Sequence, residues 1–155
     1  MARFTVSVDV AAPVERVWER LTDWPQHGRW IPLTTVRVTS ERPDGVGATF
    51  LARTGIGPIG FDDPMEIVEW TAPADGRPGI CRVRKRGRLV LGRASCEVAS
   101  RPGGSTVSWT EDVIIAPVRL TRPFDRLIEV GGKIGFTRAL RAMAKEIETE
   151  VARGV

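Results

Sequence analysis

The chain contains no tyrosine, a single histidine, two cysteines and three lysines among 155 residues. Each scarcity excludes a class of protein. One imidazole, His27, cannot build a histidine-rich metal site, and neither a metal nor a cofactor is expected. Cys81 and Cys96 are too few for a disulfide scaffold and are expected as buried thiols that behave as small hydrophobes. No run approaches the ~18 consecutive apolar residues of a membrane span. The opening MARFTVSVDV alternates apolar with polar residues and has no continuous apolar stretch of the kind a signal peptide needs, so the expected location is the cytoplasm. No segment repeats another, and none is of low complexity.

What is present fits an ordinary globular domain. Hydrophobic residues make up 42% of the chain and charged residues 27%, with a net charge of +4. One domain over residues 1–155 is expected, long enough to bury about two thirds of its unfolded surface. The mild positive charge permits an anionic ligand or partner without demanding one.

Phe4, Val6, Val8 and Val10 alternate with polar residues, which reads as a half-buried strand. Pro13 suits a first helical position, and Val14, Val17, Trp18 and Leu21 follow at helical spacing. The segment TDWPQHGRWIP then supplies a second short helix between prolines. From Thr34 to Ile115 the pattern is of strands separated by turn clusters, with strands expected at 34–39, 48–54, 65–70, 80–86, 89–99 and 106–115. The short connections imply an antiparallel sheet. The fold class is therefore α+β: a strand, two short helices, six more strands and one long helix.

Pro123 to Val151 reads as that helix, about 45 Å long at ~1.5 Å per residue. Its apolar residues fall on two stripes, Phe124, Leu127, Ile128, Ile134 and Gly135 on one, and Phe136, Leu140, Met143, Ile147 and Val151 on the other. The offset falls at Gly131-Gly132, which is expected to be a hinge or a site of close approach. The second stripe is expected to anchor the helix and the first to roof a cavity. A tight turn at Gly87-Arg88 would place Cys81 opposite Ala94 and Val83 opposite Gly92. Cys81, Val83, Ala94, Cys96 and Val98 then share a face of small residues. A void above that face would cost about 24 cal/mol per Å³ if it were merely empty, so unfilled volume there points to a ligand. The competing reading is that Phe136, Leu140 and Met143 fill it.

These residues resemble the START-like helix-grip superfamily, in the polyketide cyclase/dehydrase and lipid-transport branch (SRPBCC). The resemblance rests on FTVSVDVAAPVERVWERLTDWPQHGRWIP, DPMEIVEW, GRLVLGRASCEV and VSWTEDVII with the helix after it. It implies a curved seven-stranded antiparallel sheet wrapped around the C-terminal helix, with an apolar cavity between them. It also implies a hydrophobic small-molecule ligand such as a lipid or polyketide. Some members catalyse cyclisation or dehydration; this chain lacks the tyrosines on which several aromatase/cyclases depend.

Glu111 is the candidate catalytic acid or base. It alternates with Val107, Trp109, Val113 and Ile115 on one strand face that should point inward, where burial raises a carboxyl pKa. The competing reading is a structural acid paired with an arginine. Arg53 is the suspected partner, although its facing is evenly balanced, because Ala48, Phe50 and Ala52 make the other face more apolar. The expected cavity wall takes Phe50, Val83, Ala94, Cys96 and Trp109 from the sheet, and Phe124, Leu127, Ile128 and Gly131 from the helix. Trp30 and Trp70 are the further aromatic candidates.

The remaining motifs carry less. GIGPIG (55–60) matches the dinucleotide pattern G-x-G-x-x-G, but a strand follows it where the pyrophosphate site needs a helix, so it reads as a hairpin loop near the cavity mouth. His27 reads as a surface or capping histidine, and Asp62-Asp63-Pro64 as a turn. Arg82, Arg84 and Arg93 should lie on the outer face, with Arg82 across from Arg93. That basic face offers a third possibility, a protein-interaction module, but no aromatics interleave it for base stacking and no nucleic acid is expected. No exposed apolar heptad is evident, which leaves the oligomeric state open.

Overall fold

Alternation at the start of the chain becomes β1 (Ala2–Val10), in which Ala2, Phe4, Val6 and Val10 are buried. The computed structural model describes residues 1–155 throughout. After β1 come α1 (Val14–Leu21), a 3-10 turn (Trp24–Arg29) and six strands: β2 (Thr34–Val38), β3 (Thr49–Ile56), β4 (Ile59–Thr71), β5 (Gly79–Arg86), β6 (Val90–Arg101) and β7 (Gly104–Ile115). A short α2 (Val118–Thr121) and a 3-10 turn lead into α3 (Asp125–Ala152). All seven strands pair antiparallel in the order β1-β7-β6-β5-β4-β3-β2, and the sheet curls around α3 in the helix-grip arrangement. No helix is long and apolar enough to cross a membrane.

GIGPIG is the β3–β4 hairpin tip. Ile56 pairs with Ile59, and Gly57 takes a positive φ of 54°, as the primed turns of tight hairpins require. Because pairing zips from this turn, β4 begins at Ile59 and not at Met65, and Asp62-Asp63-Pro64 is strand where a turn was expected. Pro64 is tolerated because at its level β4 pairs with β3 alone; the ladder to β5 starts one residue later, at Met65–Lys85.

The β5–β6 connection also differs from expectation. Arg86 pairs with Leu91, so the turn is longer than Gly87-Arg88 and the register moves by two residues. Cys81 consequently faces Cys96, and Val83 faces Ala94. An even shift leaves every side chain on its expected face, and Cys81, Val83, Ala94, Cys96 and Val98 are all buried. On the outer face Arg93 lies opposite Arg84, not Arg82. Arg82 pairs with Glu69, Arg86 with Glu66 and Arg3 with Asp112, so carboxylates interleave this surface.

The two stripes expected on the long helix have different fates. Ile128, Gly132, Phe136, Leu140, Met143 and Ile147 form one continuous inner face, spaced three or four residues apart, and the last three are buried. A glycine occupies one position of this face, which is why the stripe reads as broken in a hydrophobic pattern. A Cβ on Gly132 would lie 2.3 Å from the Phe4 ring, so glycine here is what lets α3 approach β1. Phe124, Leu127 and Ile134, expected to roof the cavity, instead face solvent and roof nothing; Leu127 is 69% exposed. They lie on the flank turned away from β1, which is tied to the other flank through Asp125 and Glu129.

The C-terminal half of α3 is fixed by a ladder of carboxylates. Arg20 of α1 contacts Glu146 and Glu150 at 2.6 Å each, and Glu146 also takes Arg29 and the Trp30 indole. Glu148 accepts from the Ala11 backbone. This half is clamped by α1, while the first half is held at its start, where Asp125 and Glu129 take the N-terminal ammonium and the Arg3 backbone. Gly131 and Gly132 should therefore respond in opposite ways to alanine. Gly131→Ala places its Cβ in open space and should stabilise the fold by about 1 kcal/mol through helix propensity. Gly132→Ala must displace Phe4 and should destabilise it by about 1–3 kcal/mol; urea denaturation of the two variants is the measurement.

Candidate functional site

Between α3 and the sheet lies a cavity of about 390 Å³. The cavity is partly open to solvent. It also falls within the ~300–1,000 Å³ range of small-molecule sites. Most of its wall is apolar, with the rings of Phe4, Trp24, Phe50, Trp109 and Phe136 supplying the large surfaces. Trp24 stacks on Phe50 at 4.2 Å, and Phe136 touches both Phe4 and Trp109.

One wall carries charge. Lys85, Asp63 and Glu111 are each at least nine-tenths buried. The Lys85 ammonium donates to Asp63 Oδ2 at 2.7 Å and lies 3.5 Å from Glu111 Oε2. Glu111 Oε1 accepts from the Trp109 indole at 2.9 Å. The strand ladders explain the meeting. Asp63 sits two residues before Met65, which pairs with Lys85, so both project from the same face of β4 and β5. Glu111 lies beyond β6, a backbone separation of about 10 Å across two strand spacings, and is opposite Ala94, whose methyl group leaves room for the bridge.

Burial by itself would push the Lys85 ammonium down, but the facing Glu111 and Asp63 carboxylates outweigh it and its pKa is raised. Lys85 is thus held as a cation and is no free amine nucleophile near neutral pH. Burial pushes the Glu111 carboxyl up, against the opposing pull of Lys85 and the Trp109 donor. A carboxyl raised in this way can hold or release a proton at the cavity wall.

His27 also lines the cavity and is buried, not on the surface; its capping role is real. Nε2 lies 2.7 Å from the carbonyl of Leu21, the last residue of α1. A carbonyl only accepts, so Nε2 carries the hydrogen and Nδ1 is the bare acceptor. Burial lowers the imidazole pKa, which keeps the ring neutral. Cys81 and Cys96 are free and buried, and the Cys96 thiol is pushed well up by its hydrogen bond to Cys81 and by burial.

Of the residues expected at a cavity, Phe50, Val83, Ala94, Cys96, Trp109, Glu111 and Ile128 line it. The others do not. Arg53 points outward and pairs with Asp62 at 2.9 Å, because the more apolar face of β3, Phe50 and Ala52, turns inward; it is not the partner of Glu111. Trp70 is spent on Trp18, edge to face at 5.0 Å, and joins α1 to the sheet. Trp30 packs beside His27 and Trp109, outside the main cavity. Phe124 and Leu127 are solvent-facing, and Gly131 looks into open space one position away from the inner Gly132. Lys85 and Asp63 were missed. The signal for Lys85 was available, since CRVRKR alternates Cys81, Val83 and Lys85 on one face by the same rule that turned Glu111 inward.

A curled antiparallel sheet gripping one helix, with an apolar cavity between them, is the helix-grip fold. The chain belongs to the polyketide cyclase/dehydrase and lipid transport family, whose model matches residues 1–148. No curated protein sequence matches it. Solved structures share the fold at low identity. A Thermus thermophilus protein is 12% identical with a TM-score of 0.75, over 94% of this chain and 96% of its own. The Zhui aromatase/cyclase of a Streptomyces species is 17% identical with a TM-score of 0.67, over 96% and 94%. A norcoclaurine synthase from Thalictrum is 14% identical with a TM-score of 0.62, over 94% and 92%. The family's description is consistent with a ligand-binding or cyclase role, and the neighbours show the fold.

Two outcomes follow from the buried charges. Lys85→Met leaves two carboxylates facing each other without a cation and should cost about 3–5 kcal/mol. Adding Asp63→Asn and Glu111→Gln to it should restore most of that loss, as read by urea denaturation. For His27 the folded pKa lies below the usual 6.5, so its contribution is present above that pH and is lost as pH falls through it. Glu111 works in the opposite sense: its raised folded pKa favours the fold at low pH, and that advantage is lost as pH rises past the usual 4.5. Between pH 7 and 5 the Tm of His27→Gln should therefore fall less than that of the native chain, and the difference between the two curves isolates the imidazole.

Proposed function

We propose that the chain binds a hydrophobic small molecule, of lipid, polyketide or similar size, in the cavity between the sheet and α3. The single observation that supports this most is the 390 Å³ apolar cavity with its one charged wall. The aromatic rings supply contact area, and Lys85, Asp63 and Glu111 orient the ligand's polar end. A second reading is favoured by the raised Glu111 carboxyl: the same cavity acts as a polyketide aromatase/cyclase or dehydratase, with Glu111 giving or taking the proton. In that reading Lys85 stays cationic and stabilises developing negative charge on a carbonyl oxygen, while neutral His27 accepts a proton at Nδ1. The names of the aromatase/cyclase neighbours agree with this second reading. A protein-interaction role for the outer face is disfavoured by the carboxylates that neutralise Arg82, Arg86 and Arg3.

Native mass spectrometry and quenching of Trp24 and Trp109 fluorescence, with a panel of fused-ring aromatics and medium-chain lipids, test the binding reading. One-to-one binding is expected, and Ala94→Trp, which fills the cavity from β6, should weaken it at least tenfold. Binding that survives Ala94→Trp unchanged would move the ligand elsewhere. Turnover separates the two readings. If the cavity catalyses cyclisation or dehydration, Glu111→Gln should lower kcat about 100-fold or more and leave the ligand affinity within a fewfold.

A further inference from the structure

The antiparallel order places at one end of the sheet the starts of β1, β2, β4 and β6 and the ends of β3, β5 and β7. α2 and the first turns of α3 lie there too, since they follow β7 and Asp125 holds the N-terminal ammonium. The cavity opens at this end. Phe61, which lines it, is 36% exposed, whereas Cys81, Val83 and Ala94, further along the wall, are buried. Around the opening stand large apolar side chains turned to water: Ile56 and Ile59 at the β3–β4 tip, Leu89 in the β5–β6 turn, Leu120 in α2, and Phe124 and Leu127 where α3 begins. Ile59 is 81% exposed and Leu120 70%. Arg88, Arg119, Arg122 and Arg126 are exposed among them, and none meets a carboxylate. The acidic side chains of the same end are already engaged: Asp62 with Arg53, Asp125 with the N-terminal ammonium, and Glu129 with the Arg3 amide. The rim of the mouth is thus apolar and positively charged together.

We propose that this rim seats the protein on an anionic lipid surface, with the cavity mouth toward the bilayer. Exposed apolar side chains gathered in one patch mark an interaction site. Arginines between them match the boundary of a membrane, where headgroup phosphates take the guanidinium groups and acyl chains take the apolar tips. Those tips belong to separate turns and a short helix, and a fluid surface admits them one by one. A nucleic acid would engage the arginines and leave Ile59 and Leu120 in water. The convex face of the sheet fits such a surface less well, because Arg82, Arg86 and Arg3 there are paired with carboxylates. The association is peripheral, since no helix is long and apolar enough to cross a membrane. It does not depend on which molecule the cavity holds.

The test is flotation of the full chain with vesicles of phosphatidylglycerol and phosphatidylcholine in equal amounts, against vesicles of phosphatidylcholine alone, at about 0.1 M salt. Partitioning onto the anionic vesicles should be stronger by about tenfold or more. Ile56→Ser with Ile59→Ser, and separately Arg119→Gln with Arg122→Gln, should each lower it by about tenfold or more. Arg84→Gln with Arg93→Gln removes the same charge from the convex face and should change it by less than about twofold. All of these side chains are exposed, and thermal melting checks that each variant folds; either rim pair alone carries the comparison. No partitioning, or an equal loss from the convex-face pair, would overturn the proposal. A dimer in sedimentation velocity that Ile56→Ser with Ile59→Ser dissolves would assign the rim to a second copy of the chain and overturn it as well. In each of those cases one-to-one binding of the aromatic and lipid panel would still stand, so the two readings fail separately.

Discussion

A seven-stranded sheet offers one broad apolar face, and this chain has a single long helix with which to cover it. Seven strands at ~4.8 Å spacing span more than 30 Å, whereas a helix with its side chains is only about 10–12 Å across. Curling the sheet narrows the mismatch but does not remove it. The C-terminal half of α3, together with α1 and the turn after it, fills one end with Leu140, Met143, Ile147, Leu21 and Trp24. Nothing of comparable bulk fills the other end. The cavity, its aromatic wall and the enclosure of Lys85, Asp63 and Glu111 all follow from that shortfall. Gly132 sharpens it, since removing a side chain there lets the helix settle onto Phe4 at the boundary between the filled and unfilled ends.

Placing three ionisable groups inside such an enclosure is expensive, and a purely apolar core of the same size is often as stable or more so. The cluster is thus a poor device for stability. Its cost is reduced by the short Lys85–Asp63 contact and by the indole that Trp109 donates to Glu111. What remains unmatched are two buried oxygens, Asp63 Oδ1 and Glu111 Oε2. The outer sheet face behaves differently. There solvent screens the facing Arg84 and Arg93, and neighbouring arginines find glutamates across the strands.

Much of the fold was legible because it rests on local periodicity. Alternation located all seven strands, proline and glycine located the turns, and the inward placement of Glu111 followed from the period of its own strand. Seven of the residues expected at the cavity wall followed as well. The errors came where a pattern had to be completed by a residue that carries no pattern. Gly132 belongs to the inner face of α3 but contributes no hydrophobicity, so the face read as two stripes and Phe124, Leu127 and Gly131 were assigned to the wrong side. Lys85 follows the alternation faithfully, on the same face as Cys81 and Val83. Asp63 stands beside a proline and read as a turn until pairing from Gly57-Pro58 carried β4 through it.

The sequence by itself determined the order of elements, the antiparallel sheet and the faces of most strands, because side-chain direction in a strand repeats every two residues whatever the register. Only the tertiary structure decided which charges meet. Lys85 and Glu111 lie on strands separated by β6, and Asp63 reaches Lys85 through a register set by a turn many residues away. Such contacts depend on absolute register, sheet curl and the small residue between the strands, and none of these leaves a local trace in the chain. The choice of Lys85 over Arg53 as the partner of Glu111 belongs to that second kind of information.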